Sequence, residues 1–465
     1  MYNTKKNHFH FLGIGGIGMS GIATILRRQG HTISGCDLDG NQTSVAQLRS
    51  LGCTVFEGNN TQACQLNYDV LVYSSAIKGH NSEIITAQKK GIPTLSRALM
   101  LAELMRTKCS IAVAGSHGKT TTTSLLSHIF ITAHYDPTVI VGGYLSSISS
   151  NAYLGTGDFL IAEADESDRS LTHLPATFAL LTNIDFEHLE TYRNLDDVKQ
   201  TFKQFISNIP PHGKAFVCFD DEQVRSLFPV GYLSKVTFGI DHPADFNAVN
   251  ITYNSDHSYF DVWHSPTHRC LGTIYLPIPG KHNILNALGA LAVSYDLGIS
   301  FDIIQQGLPH FKGVDRRFSY KGLFQGAELF EDYGHHPKEI YHTLLIARKR
   351  AKKRLIVLFQ PHRYSRTQGL WKEFIEVFAQ SSIDHLIITD IYSANEPPIP
   401  DISSLNLANE LKQSCPYPIM YASYEPSFKA IISCISSILK TDDLLLILGA
   451  GKINQIVEKI SPKRP

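Results

Sequence analysis

Residues 111–124 read I-A-V-A-G-S-H-G-K-T-T-T-T-S, an apolar run followed by a glycine loop, a lysine and a row of hydroxyl side chains. A strand that turns through Gly115, Ser116, His117 and Gly118 into a helix beginning Lys119, Thr120, Thr121 makes a cradle for phosphate. Backbone N–H groups at a helix N-terminus attract anions, a lysine reaches phosphate oxygens, and a threonine hydroxyl holds Mg²⁺. Only two residues separate the glycines, fewer than in the general phosphate-loop string. The alternative is an ordinary glycine turn before a Thr-rich helix.

A second group follows the apolar run 159–163, where Glu163, Asp165, Glu166 and Asp168 fall within six residues. Their mutual repulsion is costly unless a cation or an arginine sits among them. Mg²⁺ takes oxygen ligands, typically carboxylates plus substrate phosphates, so this stretch reads as a metal site, with a solvated acidic turn as the alternative. The run 178–181 ends in T-N-I-D-F-E-H and puts His188 at a third strand end. That position admits metal or phosphate contact as well as a structural role. In open α/β sheets, ligands sit beyond the carboxyl ends of strands.

Near the start, a strand at 8–12 leads into G-I-G-G-I-G-M-S-G at 13–21, a helix at about 19–29, a second strand and Asp37. This is G-x-G-x-x-G in strand–turn–helix–strand context with an acid about 20 residues on, which predicts a nucleotide or sugar-nucleotide site. A glycine turn serving only helix–strand packing is the alternative. The strand at 70–75 ends in the polar pair Ser74 and Ser75. A helix starting after Gly280 carries His282 and Asn286, four apart and so on one face. In V-D-R-R-F at 314–318, adjacent side chains of an extended segment point oppositely, so one of Arg316 and Arg317 is expected to face a phosphate. Asp332 and His335 lie in E-D-Y-G-H-H-P. Arg363 and Arg366, with His362, follow the strand at 355–359 and suit a carboxylate.

The elements that must position these groups alternate. Strands are expected also at 139–141, 215–219, 236–238, 386–389 and 444–448, helices at 82–90 and about 96–105, and a β-rich stretch at 246–279. At 465 residues with 43% hydrophobic content, the chain has length for roughly three domains, with boundaries near Thr107 and Gly313. Lys+Arg and Asp+Glu both number 42, which argues against nucleic acid held by the overall field. The basic run 348–354 reads as a solvated helix end. Eight cysteines without C-x-x-C or metal spacing read as buried thiols in a reducing compartment. With no signal-peptide pattern and no apolar run long enough for a span, a cytoplasmic location and no membrane partner are expected.

Together, G-I-G-G-I-G-M-S-G, G-S-H-G-K-T-T-T at 115–122, E-A-D-E-S-D at 163–168, T-N-I-D-F-E-H at 182–188, G-K-H-N-I-L-N-A at 280–287, V-D-R-R-F, E-D-Y-G-H-H-P at 331–337 and F-Q-P-H-R-Y-S-R-T at 359–367 resemble, in order, the motifs of the Mur ligases. These are the ATP-dependent amide-bond formers of peptidoglycan precursor synthesis. The resemblance runs from His8 to about Gly451 and implies an α/β chain of three domains. They are a Rossmann-like UDP-sugar domain at 1–107, a central P-loop-type ATPase domain at 108–313, and a Rossmann-like, amino-acid-binding and closing domain at 314–465.

The M-S-G ending and the Q-P-H-R-Y-S-R segment resemble the branch that joins L-alanine to the lactyl carboxylate of UDP-N-acetylmuramate through an acyl phosphate. The alternative is the branch that attaches a recycled tripeptide to the same sugar nucleotide. By resemblance, Gly15, Gly16, Ile17, Gly18, Met19, Ser20, Asp37 and Ser75 face UDP-N-acetylmuramate. Residues 115–121 hold the ATP phosphates, His282 and Asn286 contact adenine, Arg317 a phosphate and Asp332 the ribose. Thr120 and Glu163 hold one Mg²⁺, and Glu163 with His188 a second. His335, Arg363 and Arg366 position L-alanine and the acyl intermediate. The family also implies a monomer or weak homodimer. Ser116 stands where threonine is common and Lys452 where an acid is common. Lys199 and Lys203 do not sit at the position that later-acting members carbamoylate.

Overall fold

The computed structural model describes residues 6–461 apart from 59–65, 78–80, 146–147, 149, 189–190 and 229–233. The described residues form three sheets, and the chain has a three-domain α/β fold. The first sheet is parallel throughout, in the order Thr54–Glu57, Thr32–Asp37, His8–Leu12, Val70–Tyr73, Thr94–Ser96. The strand order reverses beside His8–Leu12, so the glycine loop that follows it opens into the crevice where such folds bind ligands. The helix after the loop spans Ile17–Arg28, two residues earlier than the sequence pattern indicates, because Gly16 in extended conformation already caps it.

The central sheet places Cys109–Ala114 between Phe159–Glu163 and Phe178–Leu181, all parallel. The register pairs Val113 with Glu163 and Leu181 with Ala114. The phosphate loop, the acidic segment and the 182–188 segment therefore leave the same sheet edge side by side. The strand Thr138–Leu145 runs longer than expected and pairs antiparallel with Ser150–Tyr153. At the other side an antiparallel meander of Phe246–Tyr253, Ser258–His264 and Arg269–Leu276 closes the sheet.

The third sheet runs Ser319–Phe324, Ala327–Asp332, Leu444–Leu448, Leu355–Phe359, His385–Ile388, Ile419–Tyr421, with its first strand antiparallel. Leu355–Phe359 and Leu444–Leu448 are wholly buried, as parallel strands covered on both faces are.

One apolar cluster runs continuously from Phe9 and Met19 of the first unit through Met100 and Leu101 to Leu181 and Phe205 of the second. The third unit has its own two clusters, one on each face of its sheet. Its ties to the rest include Lys338 to Asp185 at 2.7 Å, Lys452 to Asp39 at 3.6 Å, an Arg350–Asp256 pair, and Lys349 lying 4.2 Å over the Tyr253 ring. They also include ring contacts of His117 with His336 and His282 with His342, and Val314 buried in the second unit's apolar cluster. No helix among the described residues is long and apolar enough to cross a membrane.

Two expectations change. Four of the six cations of the basic run are paired: Arg348 with Asp384, Arg350 with Glu328, Lys353 with Asp442 and Arg354 with Asp443. The three arginines brace the third sheet, while Lys349, Lys352 and Lys353 stay exposed, as a solvated helix end does. Of the thiols, Cys36, Cys53 and Cys218 are buried but Cys270 is exposed, on the outer face of the meander. Cys64 lies outside the described residues.

Candidate active site

The loop after Cys109–Ala114 needs its glycines for space. Gly115 has φ +139°, and a Cβ there would lie 2.0 Å from the Thr182 hydroxyl. Gly118, at φ +80°, leaves room for the Asn286 side chain, which a Cβ would meet at 2.5 Å. Neighbouring strand ends fix the loop's shape. Ser116 N–H donates to Asn183 O at 3.0 Å, and His117 N–H to Asn183 Oδ1 at 2.8 Å. The Ser116 hydroxyl accepts from Asp185 N–H at 2.8 Å, a bond that either hydroxyl residue can make. Helix Lys119–Thr132 starts directly after Gly118.

Lys119 Nζ lies 2.8 Å from Glu166 and donates to Gly115 O at 2.6 Å and Ser116 O at 3.0 Å. Thr120 Oγ1 donates to Glu163 Oε1 at 3.1 Å, and the other Glu163 oxygen accepts from Gly142 N–H at 2.8 Å. Burial pushes the Glu163 carboxyl upward, against Lys119. The counter-cation that the acidic run demanded is present twice, as Lys119 and as Arg97, which reaches Asp165 at 2.9 Å and Asp168 at 3.5 Å. Burial opposes ionisation of Asp165, but Arg97 and Lys119 outweigh it and bring its pKa down to about 2.

His188, at φ 55°, points Nε2 toward Glu166 at 3.3 Å and Glu187 at 3.9 Å. The ligand atoms of Glu166, Glu187 and His188 lie within 4.8 Å of one another. The structure thus groups His188 with Glu166 and Glu187, and Glu163 with Thr120. Both sets suit a hard divalent cation in their oxygen content.

A cavity of about 450 Å³ opens behind the phosphate loop, between the second and third units. Gly118, Thr121, His282, Asn286, Arg317 and Asp332 line it. His282 is driven down to about 3 by burial, then by His342 and Arg317, so its ring is neutral at ordinary pH. Asp332 accepts from Phe318 N–H at 2.8 Å and Gly334 N–H at 2.7 Å. Of the arginine pair, Arg317 faces the cavity. Arg316 instead bonds Glu331 at 2.8 Å and Gly449 O at 2.8 Å, holding the segment to the third sheet. The two arginines do point apart, but not through extended backbone, since Arg316 has φ 60° and Phe318 φ 45°.

Arg366 Nη1 lies 2.9 Å from His362 Nδ1, the His335 and His362 rings are 5.7 Å apart, and Arg363, at φ 68°, has Nη1 3.9 Å from Glu396. These groups sit past the ends of strands Ala327–Asp332, Leu355–Phe359 and His385–Ile388 of the third sheet, with Leu444–Leu448 between the first two. At the first sheet, Gly15 N–H donates to Asp37 Oδ2 at 2.8 Å, and Gln42 bonds Oδ1 at 2.9 Å. Asp37 therefore organises the glycine loop. Gly16, Ile17 and Ser75 are exposed. Met19 is in the shared core, and Ser20 is buried, accepting from Asn151 Nδ2 at 3.1 Å across the unit boundary. Both side chains are turned away from the loop's open side, because this face of the helix packs on the central sheet.

Sequence patterns left out Arg97, Lys338 and Glu339, and gave Asn183 and Asp185 only as part of a polar strand end. Of the three left out, only Glu339 had a local signal, as the acid three residues into a helix whose cap is His336.

Profiles of three domains match in order: the Mur ligase family catalytic domain over residues 8–109, the Mur ligase middle domain over 113–294, and the Mur ligase glutamate ligase domain over 316–451. A UDP-N-acetylmuramate–L-alanine ligase of Syntrophotalea carbinolica is 44% identical over 460 residues, covering 98% of both chains. One from Syntrophus aciditrophicus is 41% identical over 452 residues, 97% of this chain and 92% of that one. Among solved structures, the UDP-N-acetylmuramate–alanine ligase of Thermotoga maritima superimposes with a TM-score of 0.82 at 25% identity over 98% of each chain. A murein peptide ligase of Psychrobacter arcticus shares the fold, with a TM-score of 0.74 at 24% identity.

Proposed function

The chain belongs to the Mur ligase family, and from that premise we infer that it joins L-alanine to the lactyl carboxylate of UDP-N-acetylmuramate with cleavage of ATP to ADP and phosphate. It is an ATP-dependent ligase of peptidoglycan precursor synthesis. The observation that carries this is the convergence of three adjacent strand ends on one loop, in a chain 41–44% identical to L-alanine ligases over nearly its whole length.

In the mechanism that fits these residues, the units are 1–107, 108–313 and 314–465. The lactyl carboxylate attacks the γ-phosphorus, ADP leaves, and an acyl phosphate forms. The amine of L-alanine then attacks the acyl carbon, and phosphate departs. Lys119, freed from Glu166, offsets charge on the phosphates, and the backbone of 115–121 surrounds them. Neutral His282 and Asn286 face adenine, Asp332 the ribose and Arg317 a phosphate. Thr120 and Glu163 are the groups to hold one Mg²⁺, and His188 with Glu166 and Glu187 a second. When bound, Mg²⁺ neutralises the anions that carboxylate and triphosphate bring together. His335, Arg363 and Arg366, with His362, orient L-alanine and the acyl intermediate. No side-chain nucleophile is needed, since positioning and charge stabilisation supply the acceleration.

The exposure of Gly16, Ile17 and Ser75 beside the first sheet supports a sugar-nucleotide site there. A monomer or weak homodimer working in the cytoplasm, without nucleic acid or membrane, completes the proposal. The test is product identification by mass spectrometry with UDP-N-acetylmuramate, ATP and Mg²⁺, offering L-alanine, L-serine, glycine or the murein tripeptide. An L-alanine adduct is expected; an adduct with the tripeptide alone would assign the recycling reaction instead.

A further inference from the structure

Glu339 is the third residue of helix Pro337–Arg350 and closes its capping box with His336. Its Oε2 accepts from His335 N–H at 3.2 Å and His336 N–H at 3.4 Å. Glutamine caps equally well at that position, so the cap alone does not call for a charge. The other oxygen faces two cationic groups that belong to different units: His117 Nδ1 of the phosphate loop at 3.7 Å, and Arg317 Nη1 at 3.6 Å. The side chain is 16% exposed, and a charge held so far out of water is costly unless it is paired.

His117 has further acidic neighbours, Asp185 at 3.1 Å and Glu187 at 3.7 Å, and Glu339 also has His335 Nδ1 at 3.5 Å. Glu339 and Arg317 both line the cavity next to Gly118. We propose that Glu339 is a positioning residue: one carboxylate oxygen, shared between His117 and Arg317, aims the Arg317 guanidinium at the phosphate end of the cavity only when the third unit is seated against the phosphate loop. In this role Glu339 acts through Arg317.

This inference rests on the ligase reading above, with Arg317 at a phosphate. The test is steady-state kinetics of the full-length chain with UDP-N-acetylmuramate, L-alanine, Mg²⁺ and varied ATP, for E339Q made both in the natural chain and in an R317K background. In the natural chain, E339Q is expected to lower kcat/KM for ATP roughly tenfold. KM for the sugar nucleotide stays unchanged and unfolding stays cooperative, because the amide keeps the cap. In the R317K background the same change is expected to cost less than about twofold, since residues acting as a unit are not additive. An equal cost in both backgrounds, or an E339Q enzyme at the natural rate, would overturn this inference alone. A natural chain that releases no phosphate would overturn the ligase reading and this inference with it.

Discussion

Lys119 is the side chain on which most of the site's charge balance turns. It is the cation 2.8 Å from buried Glu166, and its charge also acts on Glu163 and Asp165. Lys119→Ala is therefore expected to abolish turnover and also to weaken the fold. Breaking a buried pair costs about 3–5 kcal/mol because the partner is left uncompensated. Adding Mg²⁺ is expected to restore part of that loss, since a divalent cation among the acids replaces the missing charge. Thermal unfolding with and without Mg²⁺, beside a phosphate-release assay, reads all three effects. Unchanged stability in both conditions, or turnover near that of the natural chain, would contradict this account of the residue.

The start of helix Pro337–Arg350 is the element that meets the phosphate loop, through Glu339 with His117, His336 with Glu187, and Lys338 with Asp185. Burial alone would lower the His117 pKa, but Glu187, Asp185 and Glu339 outweigh it and raise it to about 10. A raised pKa contributes stability that is complete below the unfolded value, about 6.5, and is lost as pH rises through the folded one. Docking of this helix is thus expected to loosen progressively between neutrality and pH 10. Hydrogen exchange at residues 336–340 would follow it, and protection independent of pH over that window would contradict it.

This contact also marks where sequence reading stops. The glycine loops and the acidic segment were legible because each motif is a short run with a local backbone reason, such as the left-handed φ of +80° at Gly118 that starts the helix. The residue pattern, by contrast, left Arg316 and Arg317 open, and only the family resemblance singled out Arg317. Arg97 was not legible, because its partner Asp165 lies 68 residues away and only the packing of the first unit on the second brings them together. The grouping of His188 with Glu166 likewise depends on register between strands, which the alternation of strand and helix does not specify.

The whole molecule divides unequally. The first two units share a continuous apolar core, while the third encloses two of its own and meets the others through ion pairs and a short segment around Val314. The exposed pairs, such as Lys452 with Asp39, contribute only about 0–1 kcal/mol each, while the pairs His117–Glu339 and His336–Glu187 are largely buried. The third unit is therefore the one expected to open, and breaking and remaking those buried pairs is expected to accompany closure. A chain of residues 314–465 is expected to unfold cooperatively by itself, and one of residues 1–107 is not, since Phe9, Met19 and Met100 lose the partners that bury them. Calorimetry of the two fragments distinguishes these outcomes.

The central claim is that the lactyl carboxylate is phosphorylated before the amine attacks. UDP-N-acetylmuramate labelled with ¹⁸O in that carboxylate, incubated with the chain, ATP, Mg²⁺ and L-alanine, tests it directly by mass spectrometry of the released phosphate. One labelled oxygen per phosphate is the predicted result; phosphate free of label beside a formed amide would contradict it.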